Sequence, residues 1–186
     1  TLIISFHMLR HKNHKTSTQK IFWSLIISNM MLLLLEMLLN IFTGGTSAEA
    51  RALLPAIVLI FYIMNPVPEA LWVLYLDAII RREEKGREKK SRNKALMVLV
   101  SLPVLLNLFS ALLSLSEGWL FFIDSQNVYH RGPYFWILLL NCYGYLVYNI
   151  VLIFLKRRSI PRQEFWVAFF AALLPVIAGA LQSLFF

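Results

Sequence analysis

Asn65-Pro66-Val67-Pro68-Glu69 lies at the centre of an apolar run covering residues 53–80, and a charge cluster at residues 81–94 follows at once. About 20 apolar residues suffice to cross a bilayer as a helix, so the run reads as a membrane span. The five central residues break it. Each proline lacks a backbone N–H, which leaves a carbonyl one turn earlier without its helical donor. Asn65 and Glu69 add polar groups where hydrocarbon makes them costly, so neighbouring helices or trapped water must surround this point.

Working outward, the whole chain carries the same signature. It is 59% hydrophobic with 15% charged residues, whereas soluble domains carry roughly 25% charged residues. With a mean hydropathy of +0.65, the expected fold is an all-α polytopic membrane helix bundle. Cys142 is the one cysteine and sits inside an apolar run, so neither a disulfide framework nor a zinc-ligand spacing can be built. The net charge of +8 lies in the connections between apolar runs, which argues against a nucleic-acid surface.

Six spans are expected. Residues 1–9 read as the inner end of a truncated first helix. Residues 21–43 form the second, stopped by Gly44-Gly45. Residues 53–80 form the third and residues 95–116 the fourth. A longer loop at residues 117–133, with Gly118, Gly132 and Pro133 as turn residues, leads to the fifth at residues 134–155. The sixth occupies residues 165–186.

Sidedness follows from the basic residues. Connections 10–20, 81–94 and 156–162 hold 16 of the 18 Lys and Arg, and the alternate loops hold only Arg51 and Arg131. The positive-inside rule places those three connections in the cytoplasm and the loops at 44–52 and 117–133 outside. The sixth span then ends outside, and one further span would make seven.

The basic runs read as topology signals and lipid-headgroup contacts. Glu83 with Arg87 and Glu88 with Arg92 sit at i,i+4, which supports a helical extension into water. His7, His11 and His14 share a helical stripe, but Arg10, Lys12 and Lys15 beside them repel a cation. No metal site and no cofactor are expected.

Polar residues within the spans are the candidates for function, because an intramembrane carboxylate costs about 2.5 to 3.5 kcal/mol by insertion scales. Measured from each span's midpoint, Glu36, Asn40, Asn107, Asn141 and Gln182 fall in the outer half of the bilayer. With Tyr129 and Arg131 of the outer loop closing over them, they form the expected ligand-binding layer. Asn65, Pro66, Pro68 and Glu69 are the expected switch. Interhelical hydrogen bonding is the competing reading for the asparagines and for Tyr143, Tyr145 and Tyr148. In the last span, Ala171, Pro175, Gly179 and Ser183 make a packing stripe.

The stretch Gly118-Trp119-Leu120-Phe121-Phe122-Ile123-Asp124, then Tyr129-His130-Arg131-Gly132-Pro133-Tyr134-Phe135, an apolar span, a short basic turn and a last span with Leu174-Pro175 resembles the N-terminal seven-helix sensor region of bacterial histidine kinases and diguanylate cyclases. The resemblance covers the chain from about residue 61 and includes the proline in the third span. It implies that residues 1–186 are a membrane-embedded signal-input bundle in the bacterial inner membrane. A seventh helix and a cytoplasmic kinase or cyclase would follow, and the whole would dimerise through that output region. The expected partners are the lipid bilayer and an external or membrane-borne small molecule.

Other classes fit less well. A rhodopsin-like receptor would show an acidic-Arg-Tyr motif where this chain has Asp77-Ala78-Ile79-Ile80-Arg81. Haem ligation needs mid-membrane histidines. No nucleophile with a base and no carboxylate pair at one depth is visible, so the fragment carries no expected catalytic residue. A secondary transporter with its substrate site at the proline-broken helix is the alternative, although no inverted repeat of that helix is present.

Overall fold

The protein is described here from a computed structural model covering residues 17–83 and 91–158, together with Ile160, Arg162, Phe165, Trp166 and Phe169. The expected first helix at residues 1–9, the expected three-histidine stripe, residues 84–90, Gln182 and the expected small-residue stripe of a sixth span lie outside the described residues.

The described chain is mostly helical: α1 (Ser17–Phe42), α2 (Ala48–Met64), α3 (Val67–Glu83), α4 (Ser91–Glu117) and α5 (Trp136–Leu155), with a two-stranded hairpin, β1 (Phe121–Ile123) and β2 (Tyr129–Arg131), between the last two. Four helical segments are long and apolar enough to cross a membrane, with α2 and α3 counting as one of 34 residues from Ala48 to Arg81. Their outward surfaces are largely apolar, as Met30, Leu33 and Met37 on α1, Leu102, Leu105 and Phe109 on α4, and Leu140, Val147 and Phe154 on α5 show, although Asn29, Glu36 and Asn40 interrupt that of α1. Lipid is the solvent that such faces fit.

Local signals set the ends. Gly44, at φ +74°, takes the left-handed conformation that stops α1 after Phe42, as expected for that glycine pair. α2 starts five residues before the apolar run does, because Ser47 caps it: the Ser47 side chain accepts from the Ala50 N–H at 3.1 Å. Hydropathy alone misses that polar first turn.

The loop expected at 117–133 is instead an antiparallel hairpin with Phe121 opposite Arg131 and Ile123 opposite Tyr129. Its turn is built by side chains. Asp124 Oδ1 accepts from the N–H groups of Gln126 and Val128, and Asn127 adopts φ 61°, a conformation that asparagine tolerates.

The α2–α3 helix is the centre of the bundle. α2 packs on α1 and α4, and α3 packs on α1, α4 and α5. No large apolar side chain of α3 is exposed, whereas α2 shows two and α1, α4 and α5 each show several. The break divides the core. Leu54, Val58 and Tyr62 of α2 join Leu35, Leu39, Ala111, Leu120 and Phe121 at the hairpin end. Tyr75, Ile79 and Ile80 of α3 join Phe22 and Ile160 at the end carrying the basic residues, while Val73 packs with Val100 and Tyr145.

Candidate functional site

The chain does not turn away at the break. Asn65 keeps helical dihedrals, with φ −55° and ψ −46°, and donates to Phe61 O, while Ala70 N–H reaches Pro66 O. What is lost is hydrogen bonding, since Pro66 cannot donate to the carbonyl of Tyr62. Asn107 of α4 replaces that donor: its Nδ2 lies 2.6 Å from Tyr62 O, and both residues are fully buried. An unpaired carbonyl in a water-free interior costs several kcal/mol by transfer scales, so the amide and the proline are complementary. Asn65 is held in turn from α5, where Cys142 Sγ donates to Asn65 Oδ1 at 3.4 Å.

Tyr62 carries this junction to the hairpin. Its hydroxyl lies 2.5 Å from that of Tyr129 on β2, and its ring packs on Phe121 of β1 with centroids 4.9 Å apart. One buried side chain thus meets the hairpin at its tip and a proline-freed carbonyl at its base. The hairpin is itself anchored at both ends. Asn127 Nδ2 donates to the carbonyls of Phe42 and Gly45, and Gly44 N–H donates to Asn127 O at 2.8 Å. At the other end, a Cβ on Gly132 would strike the carbonyl oxygens of Gly118 and Trp119, so only glycine allows β2 to close on the end of α4.

A second proline has polar contacts near it, but neither reaches Leu99 O, the carbonyl that Pro103 leaves without a helical donor. Pro103 lies inside α4, and around it Tyr145 Oη donates to Val100 O at 2.5 Å and Asn141 Nδ2 to Pro103 O at 3.3 Å. Asn141 and Tyr145 are one turn apart on α5, so one face of that helix grips the disturbed turn.

The expected ligand layer is only partly assembled. Glu36 and Asn40 were expected in the same outer half as Asn107 and Asn141, but they lie on the exposed side of α1, away from the buried asparagines. The depth argument fixed height and said nothing of azimuth: Leu35 and Leu39 turn inward to the core, which carries their neighbours outward. Between α2 and the hairpin the volume is filled by Tyr62, Leu120 and Phe121. Tyr129 is half-buried and bonded to Tyr62, while Arg131 is exposed with its guanidinium 4.8 Å from the Phe135 ring centroid. Of the expected switch residues, Pro66 and Pro68 are buried and Asn65 and Glu69 half-buried.

Sequence reasoning missed Tyr62, Asn127 and the Asp124–His130 pair. His130 Nε2 lies 2.8 Å from Asp124 Oδ2, and its ring stacks on Phe122. The hydrogen bond from His130, followed by the backbone bonds from Val128 and Gln126, holds the Asp124 carboxyl below the usual carboxylate range. The spacing of Asp124 and Asn127 about a turn was the available signal.

No protein-family model, curated protein or solved structure matches the chain. The stretches 118–124 and 129–135 make up the two strands and the base of the hairpin.

Proposed function

We propose that this chain is a membrane-embedded signal-input unit in which the hairpin receives a signal and the Asn65–Pro66 junction passes it toward the basic end. The observation that carries the proposal is Tyr62, whose hydroxyl is bonded to the hairpin and whose carbonyl is the one released by Pro66. A shift of β2 is felt at the point where the central helix has lost its own hydrogen bond. The two halves of that helix pack in separate cores, so they can move against each other without repacking either.

In this reading the basic connections face the cytoplasm, the hairpin faces outward, and the signal is a small molecule meeting Tyr129 and the exposed Arg131. The bilayer is the bacterial inner membrane, and the output is a kinase or cyclase attached after a seventh helix. A switch of this kind needs two arrangements separated by only a few kcal/mol. Spin labels at Ser125 of the hairpin and Arg157 at the basic end test it in the reconstituted chain. Two populated distances are expected, collapsing to one in Pro66→Ala with Pro68→Ala and redistributing in Tyr129→Phe. A single distance unchanged by all three substitutions would remove the hinge and the signalling role built on it.

Transport is the second reading, favoured by Glu69 in the first turn of α3, next to the break. Broken helices with polar groups at mid-depth are how transporters hold substrate. Solute flux into vesicles that is lost in Glu69→Gln while the Ser125–Arg157 distances stay fixed would select it.

A further inference from the structure

Asn107 serves Tyr62 O with only one end of its amide. Nδ2 is committed there at 2.6 Å, and turning the amide over would set oxygen against oxygen, so Oδ1 is the end left over. Oδ1 has no partner among the described residues, and neither has Ser110 Oγ. Both are sealed from the surface, with Asn107 0% and Ser110 1% exposed. They stand at i,i+3 on α4, which makes them neighbours on one face with Cβ atoms about 5 to 6 Å apart. A buried helical serine ordinarily bonds back to its own helix: Ser28 Oγ donates to Leu25 O at 2.9 Å and Ser114 Oγ to Ser110 O at 2.8 Å. Ser110 makes no such bond, so its hydroxyl is not spent on its own turn. On this side α4 packs against α2, α3, α5 and β1, whereas Leu105, Phe109 and Leu112 on its far side are exposed.

Two oxygens on one turn, both buried and both unmet, each carry the desolvation cost of a hydrogen bond not made. We infer that one water molecule is bound between Asn107 Oδ1 and Ser110 Oγ. It donates one hydrogen bond to the amide oxygen and makes a second with the hydroxyl, which can donate or accept. Two polar partners are enough to hold a buried water, and two bonds of ordinary length span side chains one turn apart. Water is also small enough to bridge atoms that are shut off from the surface. The site adjoins the junction, because the amide that the water completes is the one that serves the carbonyl released by Pro66. It stands whether or not the chain is a signal-input unit.

The test is water-edited solid-state NMR of the full 186-residue chain in lipid bilayers, with serine Cβ and asparagine side chains labelled. Magnetisation from water is expected to reach Ser110 Cβ and the Asn107 amide but not Ser28, which is also buried and is bonded to Leu25 O. Ser110→Val fills the place with methyl groups. It should abolish transfer to Asn107 and lower the folded-to-unfolded ratio about tenfold, because Oδ1 is then left unmet. Ser110→Thr keeps the hydroxyl and should keep the transfer. In an Asn107→Leu background the oxygen is gone, so Ser110→Val should cost little there. Circular dichroism of each variant checks that it is folded. Transfer to neither residue in the wild-type chain would overturn the site, and so would unchanged transfer to Asn107 in Ser110→Val. A short-range contact from Ser110 Cβ to a side chain in residues 165–186 would assign the partner to the chain itself and refute the water. Equal cost of Ser110→Val in both backgrounds would also refute it.

Discussion

Replacing Asn107 by leucine removes the donor that serves Tyr62 O and leaves that carbonyl bonded to nothing, because Pro66 has no N–H to offer. The cost of orphaning a buried acceptor is about 1 to 3 kcal/mol. Two effects reduce it here: Asn107 Oδ1 is itself buried with no partner among the described residues and is removed by the same substitution, and polar contacts between membrane helices have measured worths of about 0.6 to 1.7 kcal/mol. A loss of about 1.5 kcal/mol is the expected outcome, roughly a tenfold change in the folded-to-unfolded ratio. Pro66→Ala alters that cost in a defined direction. Asn65 already has helical dihedrals, so the new N–H at position 66 points back along the axis toward Tyr62 O. In the Pro66→Ala background Asn107→Leu should therefore cost about 1 kcal/mol less than in wild type. Reversible unfolding in mixed micelles, followed by far-ultraviolet circular dichroism, gives the four stabilities of the cycle. Additivity within about 0.3 to 0.5 kcal/mol would show that amide and proline are not coupled, and the account of the junction would fail.

Three further outcomes are expected. The folded Asp124 pKa is depressed, so its contribution to the hairpin turn is fully present above the unfolded value of about 3.9 and is lost as pH falls through the lower folded value; amide exchange at Gln126 and Val128 should stay slow at pH 5 and accelerate only in strong acid. Gly132→Ala should open the base of the hairpin, because the added Cβ meets backbone rather than a movable side chain; faster proteolysis between residues 118 and 133, with helix content kept, is the readout. In intact cells an impermeant thiol reagent should label Ser125→Cys and not Arg157→Cys, again with Cys142 replaced, and the reverse pattern would invert the proposed orientation.

Much of the membrane architecture was legible in the residues. Spans are long runs of one chemical character, and the environment that selects them is uniform, so composition and length suffice for the four helical segments seen here. Gly44 as a helix stop and the break at Asn65–Pro66 were likewise local, since a left-handed turn and a missing donor belong to the residue itself. The start of α2 was not, because a serine cap and one polar turn leave little trace in hydropathy. The hairpin was hidden too. Its strands are three residues each and are held by tertiary anchors, chiefly Asn127 on Phe42 and Gly45 and Tyr129 on Tyr62.

The candidate site divides along the same line. Sequence determined which side chains are polar, how far along its helix each stands and which carbonyls the prolines release, because height follows from position along a helix of fixed rise. Only the tertiary structure decided which way each side chain faces and what stands opposite. Asn107 and Glu36 are both polar residues of the expected outer half, yet one is sealed against Tyr62 and the other is open on α1. Rotation about a helix axis is set by which neighbouring residues enter the core. That choice belongs to the packing of α1 on α2 and of α2 on α4, 45 residues apart in the case of Tyr62 and Asn107.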